Sequence, residues 1–314
     1  MPDAAPELSL IIVNWNTRDL LRACLTSLRP ESQTSAWEVI VVDNASTDGS
    51  QAVLTSEFPE VLWINNTVNA GFAAATNQGR RRARGAVWVM LNPDTEVLPG
   101  ALARLKRELE QAPELTAAGP QLLNDDRSLQ PSGRRFPSLG RMVAELFFPK
   151  GWKNSRQGLR VMFGRADFSQ PAWVEELSGA CVMARRETFA RVGLLDEAYF
   201  LYFEEVDWFR RLARLRGRAR YVPAAQVVHH WGGGSSQAAE AGVLHNARSA
   251  FYYWRKFHGL SGVLALRALY ALRALWGLAG QSAGALLGLR ARRTFTKRAR
   301  LHLNLLRLAL GVQR

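Results

Sequence analysis

Leu8-Ser9-Leu10-Ile11-Ile12-Val13-Asn14-Trp15-Asn16 opens the patterned part of the chain and carries its architecture. Leu8–Val13 is an apolar run broken only by Ser9, as expected of a strand buried on both faces. The pattern then alternates. Arg18–Leu28 has helical spacing, with Leu21, Cys24, Leu25 and Leu28 on one side. Val39–Val42 is a second strand, ending in Asp43-Asn44. Ser46-Thr47-Asp48-Gly49 supplies turn and N-cap residues for a helix at Ser50–Ser56. Val61–Ile64 is a third strand, Asn69–Arg84 a loop and helix, and Ala86–Leu91 a fourth strand closed by Asn92-Pro93-Asp94. Strands and helices alternating at this spacing predict an α/β fold: a mostly parallel sheet flanked by helices on both faces.

The second half is less regular. Gly119 to about Phe168 is rich in Gly, Pro, Arg and Ser and reads as a partly ordered segment over the active edge of the sheet. Val174–Arg185 predicts a strand, Arg186–Val192 a short helix, Phe203–Arg216 a helix, and Ala219–His230 contains another strand. From Asn246 onward the pattern is helical. The expected division is a body over 1–240, itself divided near 118 into halves at 1–118 and 119–240, followed by a basic amphipathic helical tail over 241–314.

The chain has 314 residues, 47% of them hydrophobic and 22% charged, which fits a globular protein with a sizeable core and excludes a disordered or collagen-like chain. Two cysteines exclude a disulfide framework and a cysteine-built zinc site, and read as free buried thiols. The net charge is +14, but residues 241–314 hold 13 Lys/Arg and no Asp or Glu, so the first 240 are nearly balanced at 28 basic and 27 acidic. A basic tail on a balanced body points to a contact with an anionic surface. Met1–Glu7 does not read as a secretory signal, and the longest apolar candidate, Ala274–Leu289, is too short and glycine-rich to predict a span.

In a parallel sheet, ligands bind beyond the carboxyl ends of the strands. Three predicted strands end in Asn14-Trp15-Asn16, Asp43-Asn44 and Asn92-Pro93-Asp94. A carboxylate there can accept a base N–H or hold a divalent cation beside phosphates. No Gly-x-Gly-x-x-Gly follows the first strand and no Walker loop occurs, which disfavours a dinucleotide enzyme and a P-loop ATPase. Asn69-Ala70-Gly71-Phe72 leads a helix of small residues, with Asn77 and Gly79, that can approach a ligand or the sheet closely. Glu204-Glu205-Val206-Asp207 is the densest acidic cluster; adjacent carboxylates raise one pKa toward that of a base, although acidic residues also favour a first helical turn. His229-His230 precede the glycine-rich run Gly232–Gly234 and are ligand candidates.

Taken together, these motifs resemble the family 2 inverting glycosyltransferases of GT-A fold, in their bacterial rhamnosyltransferase-like branch. The resemblance rests on the segments 11–16, 41–49, 69–79, 91–94, 177–180, 193–197 and 203–207, and spans about residues 8 to 236. It implies a donor pocket of Asn14, Asn16, Asp43, Asn44, Asn69, Gly71, Phe72, Asn77 and Asn92, with Asp43 on the pyrimidine. It implies that Asp94 binds Mg²⁺ or Mn²⁺, completed by His230 in preference to His229. Glu205 stands where the family usually has an aspartate base, with Glu204 as the fallback. Gly179, Asp196 and Asp207 fall on the acceptor side. The expected reaction moves a hexose, L-rhamnose from dTDP-rhamnose first and UDP-sugars next, onto a glycan or lipid-linked acceptor in cell-surface polysaccharide synthesis. A nucleotidyltransferase is the alternative; a membrane or nucleic-acid adaptor is disfavoured, and no nucleic-acid partner is expected. Arg290, Arg293, Lys297, Arg300 and Arg307 beside the stripe Leu301, Leu305, Leu308 and Val312 predict an interfacial helix, hence a peripheral protein at the cytoplasmic face of the plasma membrane.

Overall fold

The computed structural model describes residues 5–30, 36–230, 239–286 and 292–312. The chain divides into two compact units, one of Met1–Phe136 with Phe163–Gln237 and one of Pro137–Met162 with Ala238–Arg314.

The first unit begins with β1 (Leu8–Asn14), α1 (Arg18–Leu28), β2 (Trp37–Asp43), α2 (Ser50–Glu57), β3 (Leu62–Asn65), α3 (Phe72–Arg82) and β4 (Val87–Leu91). All seven residues of β1 are buried. It runs parallel to β2 on one side, with Asn14 opposite Asp43, and to β4 on the other. That register brings the two polar strand ends side by side. β3 extends the parallel order on the far side of β2. Helix α1 buries Leu21, Cys24, Leu25 and Leu28, the face its spacing predicts. Helix α3 lies close to the sheet because Gly79 has no side chain: a Cβ there would come 2.5 Å from the Ile11 methyl.

The unit continues with β5 (Thr95–Val97), α4 (Ala101–Gln111), β6 (Leu115–Leu123), β7 (Leu129–Gln130), β8 (Ala172–Val174), β9 (Cys181–Arg185), α8 (Arg186–Val192), α9 (Glu204–Arg214) and β10 (Arg218–His229). The sheet order is β3-β2-β1-β4-β9-β6-β10-β5. β9 lies antiparallel between β4 and β6, and β5 and β8 pair antiparallel to β10, so the second half of the sheet is mixed. The parallel alternation of the first four strands does not extend past β4, because the strand laid beside it, β9, runs antiparallel. The region expected as one strand at 174–185 is two, β8 and β9, separated by the turn that carries Gly179. Cys24 and Cys181 are free and buried, and burial pushes both thiols up to about 12.

The second unit holds α5 (Leu139–Phe147), α6 (Lys150–Lys153), most of α7 (Arg156–Phe163), α10 (Ala239–Leu286) and α11 (Arg292–Ala309). Residues 137–162, expected to lie over the sheet, are thus helical and group with the C-terminal helices. Helix α5 begins with Ser138 accepting from the Arg141 amide. The backbone of α10 breaks at Gly259, with φ 70° and ψ −163°. Beyond the break, Val263, Leu266, Tyr270 and Ala274 form a buried side. Arg273 Nε donates to Leu146 O at 2.8 Å, tying α10 to α5. The stripe expected to face a membrane on α11 is not free: Leu305 is buried and Leu301 and Leu308 are half-buried, with only Val312 exposed. Arg290 lies outside the described residues, as do the side chains of Arg293 and Lys297. The glycine-rich run Gly232–Gly234 also lies outside them.

Candidate active site

The parallel register sets Asn14 Nδ2 2.7 Å from Asp43 Oδ1 and 3.0 Å from Ser46 Oγ, while Asn14 Oδ1 accepts from Thr17 Oγ1 at 2.6 Å. Asp43 Oδ2 accepts the Ser46 amide at 3.0 Å. Asn16 adopts φ 54°, and its Oδ1 accepts the Thr47 amide at 2.7 Å. Asn44 spans to the next loop. Its Nδ2 donates to Asn69 Oδ1 at 2.8 Å and its Oδ1 accepts from Asn66 and from the Ala70 amide, both at 3.0 Å. Ser46, which accepts from both Asn14 and Asn16, is the hub of this cradle. A serine inside a turn-like Asn-Ala-Ser-Thr-Asp-Gly run gives no sequence signal of that role.

Gly71 follows, with φ 84°, and a Cβ there would sit 2.7 Å from Phe200 O. The Phe72 amide donates to that same carbonyl at 2.7 Å. The Phe72 side chain packs against Val13, Val42 and Ala75. Asn77 is committed elsewhere: its amide group holds the backbone of Leu195 in both directions and donates to Glu197 Oε1 at 2.9 Å, so it serves the scaffold and not a donor.

Beyond Phe200 the chain enters α9 through Tyr202 and Phe203, two successive non-glycine residues with φ 68° and 70°. Such conformations cost about 1–3 kcal/mol each and persist only where the surroundings enforce them. They deliver Glu204, which is buried, and Glu205, which is half-buried, into the first turn of α9, each with a buried Oε2 that has no hydrogen-bond partner among the described residues. Burial and the neighbouring Glu205 push the Glu204 carboxyl well up. Burial also raises Glu205, but its backbone amide, the Arg134 charge and the amides of Val206 and Gly179 pull the other way. Both carboxyls are thus raised by burial, Glu204 with the added push of its neighbour and Glu205 against the pull of surrounding amides and Arg134. Arg134, held by backbone hydrogen bonds to Glu176, is a contributor the sequence did not single out.

Asp207 is fully buried. It accepts from Arg211 Nε at 2.6 Å and Tyr199 OH at 3.2 Å, and Arg211 continues to the carbonyls of Val192 and Leu194. Its role is to anchor α9, closed off from an acceptor. Asp196 Oδ1 accepts the Ala198 amide at 3.0 Å. Gly179 lies against Glu205, where an added Cβ would sit 3.6 Å from the carboxylate carbon. The carbonyl of the next residue, Ala180, accepts the Asn92 amide at 2.9 Å, which links the glutamates to the end of β4 and Asp94.

At that end, Asp94 Oδ1 is buried without a hydrogen-bond partner among the described residues and lies 3.4 Å from His229 Nε2. The Gln130 amide nitrogen donates to His229 O and Asn124 Oδ1, so its oxygen, 2.7 Å from His229 Nδ1, takes the ring proton. Nε2 then faces Asp94 Oδ1, and an imidazole nitrogen beside a carboxylate oxygen is a donor pair that suits Mg²⁺ or Mn²⁺. The His230 ring is turned away, between Glu96 and Asp125 at 2.7 Å each; only its backbone amide reaches Asp94 O. Among the described residues no group of three His, Cys, Asp or Glu side chains gathers for a metal.

A sheet of this order, with polar strand ends and buried carboxylates on one edge, is that of the GT-A glycosyltransferases. Two solved structures share the fold: GalNAc-T7 with UDP, GalNAc and Mn²⁺ aligns at TM-score 0.55 and 17% identity over 72% of this chain and 43% of its own. The mannosyltransferase PcManGT from Pyrobaculum calidifontis, with GDP-Man and Mn²⁺, aligns at TM-score 0.54 and 17% identity over 99% and 88%. The profile of Glycosyl transferase family 2 matches residues 9–193, and the chain belongs to that family. An N-acetylglucosaminyl-diphospho-decaprenol L-rhamnosyltransferase of Mycobacterium tuberculosis is 29% identical over 87% of this chain and 94% of its own length. A low-salt glycan biosynthesis hexosyltransferase of Haloferax volcanii is 25% identical over 71% and 67%.

Proposed function

We propose that this glycosyltransferase moves L-rhamnose from dTDP-rhamnose to a hydroxyl of a lipid-linked glycan, with inversion at the anomeric carbon. The observation that carries the reaction class is the Glu204–Glu205 pair, each with a buried, unpartnered Oε2 among the described residues, aimed by a strained turn and joined through Gly179 and Ala180 to the Asp94 end of β4. The rhamnose and lipid assignments draw on the mycobacterial relative, whose decaprenol acceptor also motivates a membrane contact through the C-terminal helices.

In this reading the Asn14–Asp43 pair and Asn16 receive the pyrimidine, and Asn44, Asn69 and Gly71 shape the floor below the sugar. Asp94 and His229, in preference to His230, would hold a divalent cation, which when bound supplies positive charge beside the departing diphosphate. Glu205 accepts the proton of the acceptor hydroxyl. That oxygen bonds to the anomeric carbon from the face opposite the nucleotide, and the bond to the diphosphate breaks. Glu204, kept protonated, places no second negative charge against the base. Gly179 leaves room beside Glu205 for the acceptor.

The test is release of nucleoside diphosphate from dTDP-, UDP- and GDP-sugars with Mn²⁺ or Mg²⁺, with and without a bacterial lipid extract, together with product stereochemistry. Release from dTDP-rhamnose, stimulated by lipid, supports the reading. Release from a different donor reassigns the sugar. Thermal stabilisation by none of these donors would remove the transferase assignment.

A further inference from the structure

The second unit carries an apolar groove beside a basic pocket. The groove, about 740 Å³, is lined by Phe147 of α5 and by Leu272, Leu275, Trp276, Ala279 and Gly280 of α10. Its helix side stands open: Leu272, Leu275 and Trp276 are 57%, 51% and 69% exposed. The Phe147 and Trp276 rings meet at 6.0 Å and 52°. Leu260 and Leu264 continue the exposed row toward Gly259. A face this apolar, opposite the buried Val263–Ala274 side, suits a non-aqueous neighbour. By length and composition Glu240–Gly280 is apolar enough to cross a membrane. However, the break at Gly259 and the one-sided burial beyond it fit a helix lying in an interface better than a span.

The neighbouring pocket, about 430 Å³, shares Trp276 and Gly280 with the groove and is lined further by Arg273, Arg298 and His302. The His302 ring packs over Gly277, and its Nδ1 is buried without a hydrogen-bond partner. Burial, helped by the Arg273 and Arg298 charges, holds the His302 imidazole below its usual value. Among the described residues no carboxylate lines the pocket, and the sequence has no Asp or Glu from residue 241 onward. An anion is therefore the complementary occupant, and an apolar chain is the complementary occupant next door.

We infer that this paired groove and pocket bind one anionic phospholipid of the bilayer, its phosphate at Arg273, Arg298 and His302 and a hydrocarbon chain along Leu272, Leu275 and Trp276. The inference rests on the membrane contact proposed above and moves it from the α11 stripe to α10. Binding then has two parts, an electrostatic one that salt screens and an apolar one that it does not.

The experiment is co-sedimentation of the full chain with vesicles of phosphatidylcholine alone or with 30% phosphatidylglycerol (about that fraction gives a charged surface), for wild type, Trp276→Ser and Arg298→Gln. Both side chains are exposed, and circular dichroism confirms folding. Wild type should prefer the anionic vesicles, Trp276→Ser should weaken binding at least about tenfold, and Arg298→Gln about fivefold on anionic vesicles alone. Chain-brominated lipid should quench wild-type fluorescence more than that of Trp276→Ser. Wild-type binding that neither substitution weakens overturns this site and leaves membrane contact standing. No wild-type binding removes both. A dimer in light scattering that Trp276→Ser dissociates, with no vesicle binding, assigns the groove to a second copy. Donor turnover, read separately without vesicles, bears on the transferase alone.

Discussion

Around Asn14, Asp43 and Asn44 the protein answers its own polar groups; around Asp94, Glu204 and Glu205 it leaves three buried carboxylate oxygens unanswered. The two regions lie on one sheet edge and follow opposite rules. The first is a finished frame, whose hydrogen bonds set the shape of a pocket before anything enters. The second keeps buried charge-bearing atoms open at a cost, since an unpartnered buried polar group is expensive. Such atoms persist in a folded protein where a reacting group or an ion will meet them. Substitutions should therefore act differently on the two sides: on turnover at the open oxygens, and on donor affinity in the finished frame.

The largest effect is expected at Glu205. Glu205→Gln keeps size and burial and removes the proton acceptor, so kcat should fall about 10³-fold while donor-induced thermal stabilisation is retained. Near-wild-type turnover would return the base role to Glu204. Asp94→Ala comes next, with a loss of about 10²-fold in kcat/KM and a flattened response to added Mn²⁺; His229→Ala should resemble it and His230→Ala should not. An unchanged Mn²⁺ response in Asp94→Ala would break the cation assignment. In the finished frame, Asp43→Asn sets an amide against the Asn14 amide. It should raise donor KM about thirtyfold with much less change in kcat, and a pure kcat defect would undo the contrast.

Gly71 joins the two regions, because its loop donates to Phe200 O just ahead of the strained Tyr202-Phe203 turn. Gly71→Ala must accommodate φ 84° and a Cβ 2.7 Å from that carbonyl. We expect a stability loss of about 1–3 kcal/mol and a fall in kcat larger than the rise in donor KM, measured by melting and initial rates. A KM effect alone would confine Gly71 to the donor side.

Legibility in the sequence followed the same divide. The first four strands and their helices could be read because each is a local pattern: a continuous apolar run, a helical stripe, a polar strand end. The strand-end residues Asn14, Asp43 and Asp94 followed from that pattern alone. Helices α5 to α7 were not legible: Phe147 of α5 meets Trp276, more than a hundred residues on, and interspersed Gly and Arg blur the period of all three. The antiparallel insertion of β9 depends on a non-local pairing with β4 and β6 that no local pattern encodes. The choice between His229 and His230 turns on Gln130, Glu96 and Asp125, which meet those rings only in the fold. Asn77 and Asp207 read as ligand-facing polar residues, but tertiary contacts use them as anchors.

The smallest effect concerns Glu204, and its sign can be worked out. Its folded pKa is raised above the ordinary 4.5 by burial and by Glu205. Above the unfolded value the folded state therefore holds a proton that the unfolded chain has lost. The proton count is then higher in the native state, so stability falls as pH rises from about 4.5 to the raised folded value, and levels off beyond it. Each unit of displacement is worth about 1.4 kcal/mol. Glu204→Gln cannot lose that proton and should lose less stability than wild type between acid and neutral pH, seen in denaturant midpoints across that range. Its kcat/KM should still rise with pH, because Glu205 must ionise in either protein. Parallel stability curves would mean that Glu204 is ionised in the folded protein, and the separation of roles within the pair would then fail.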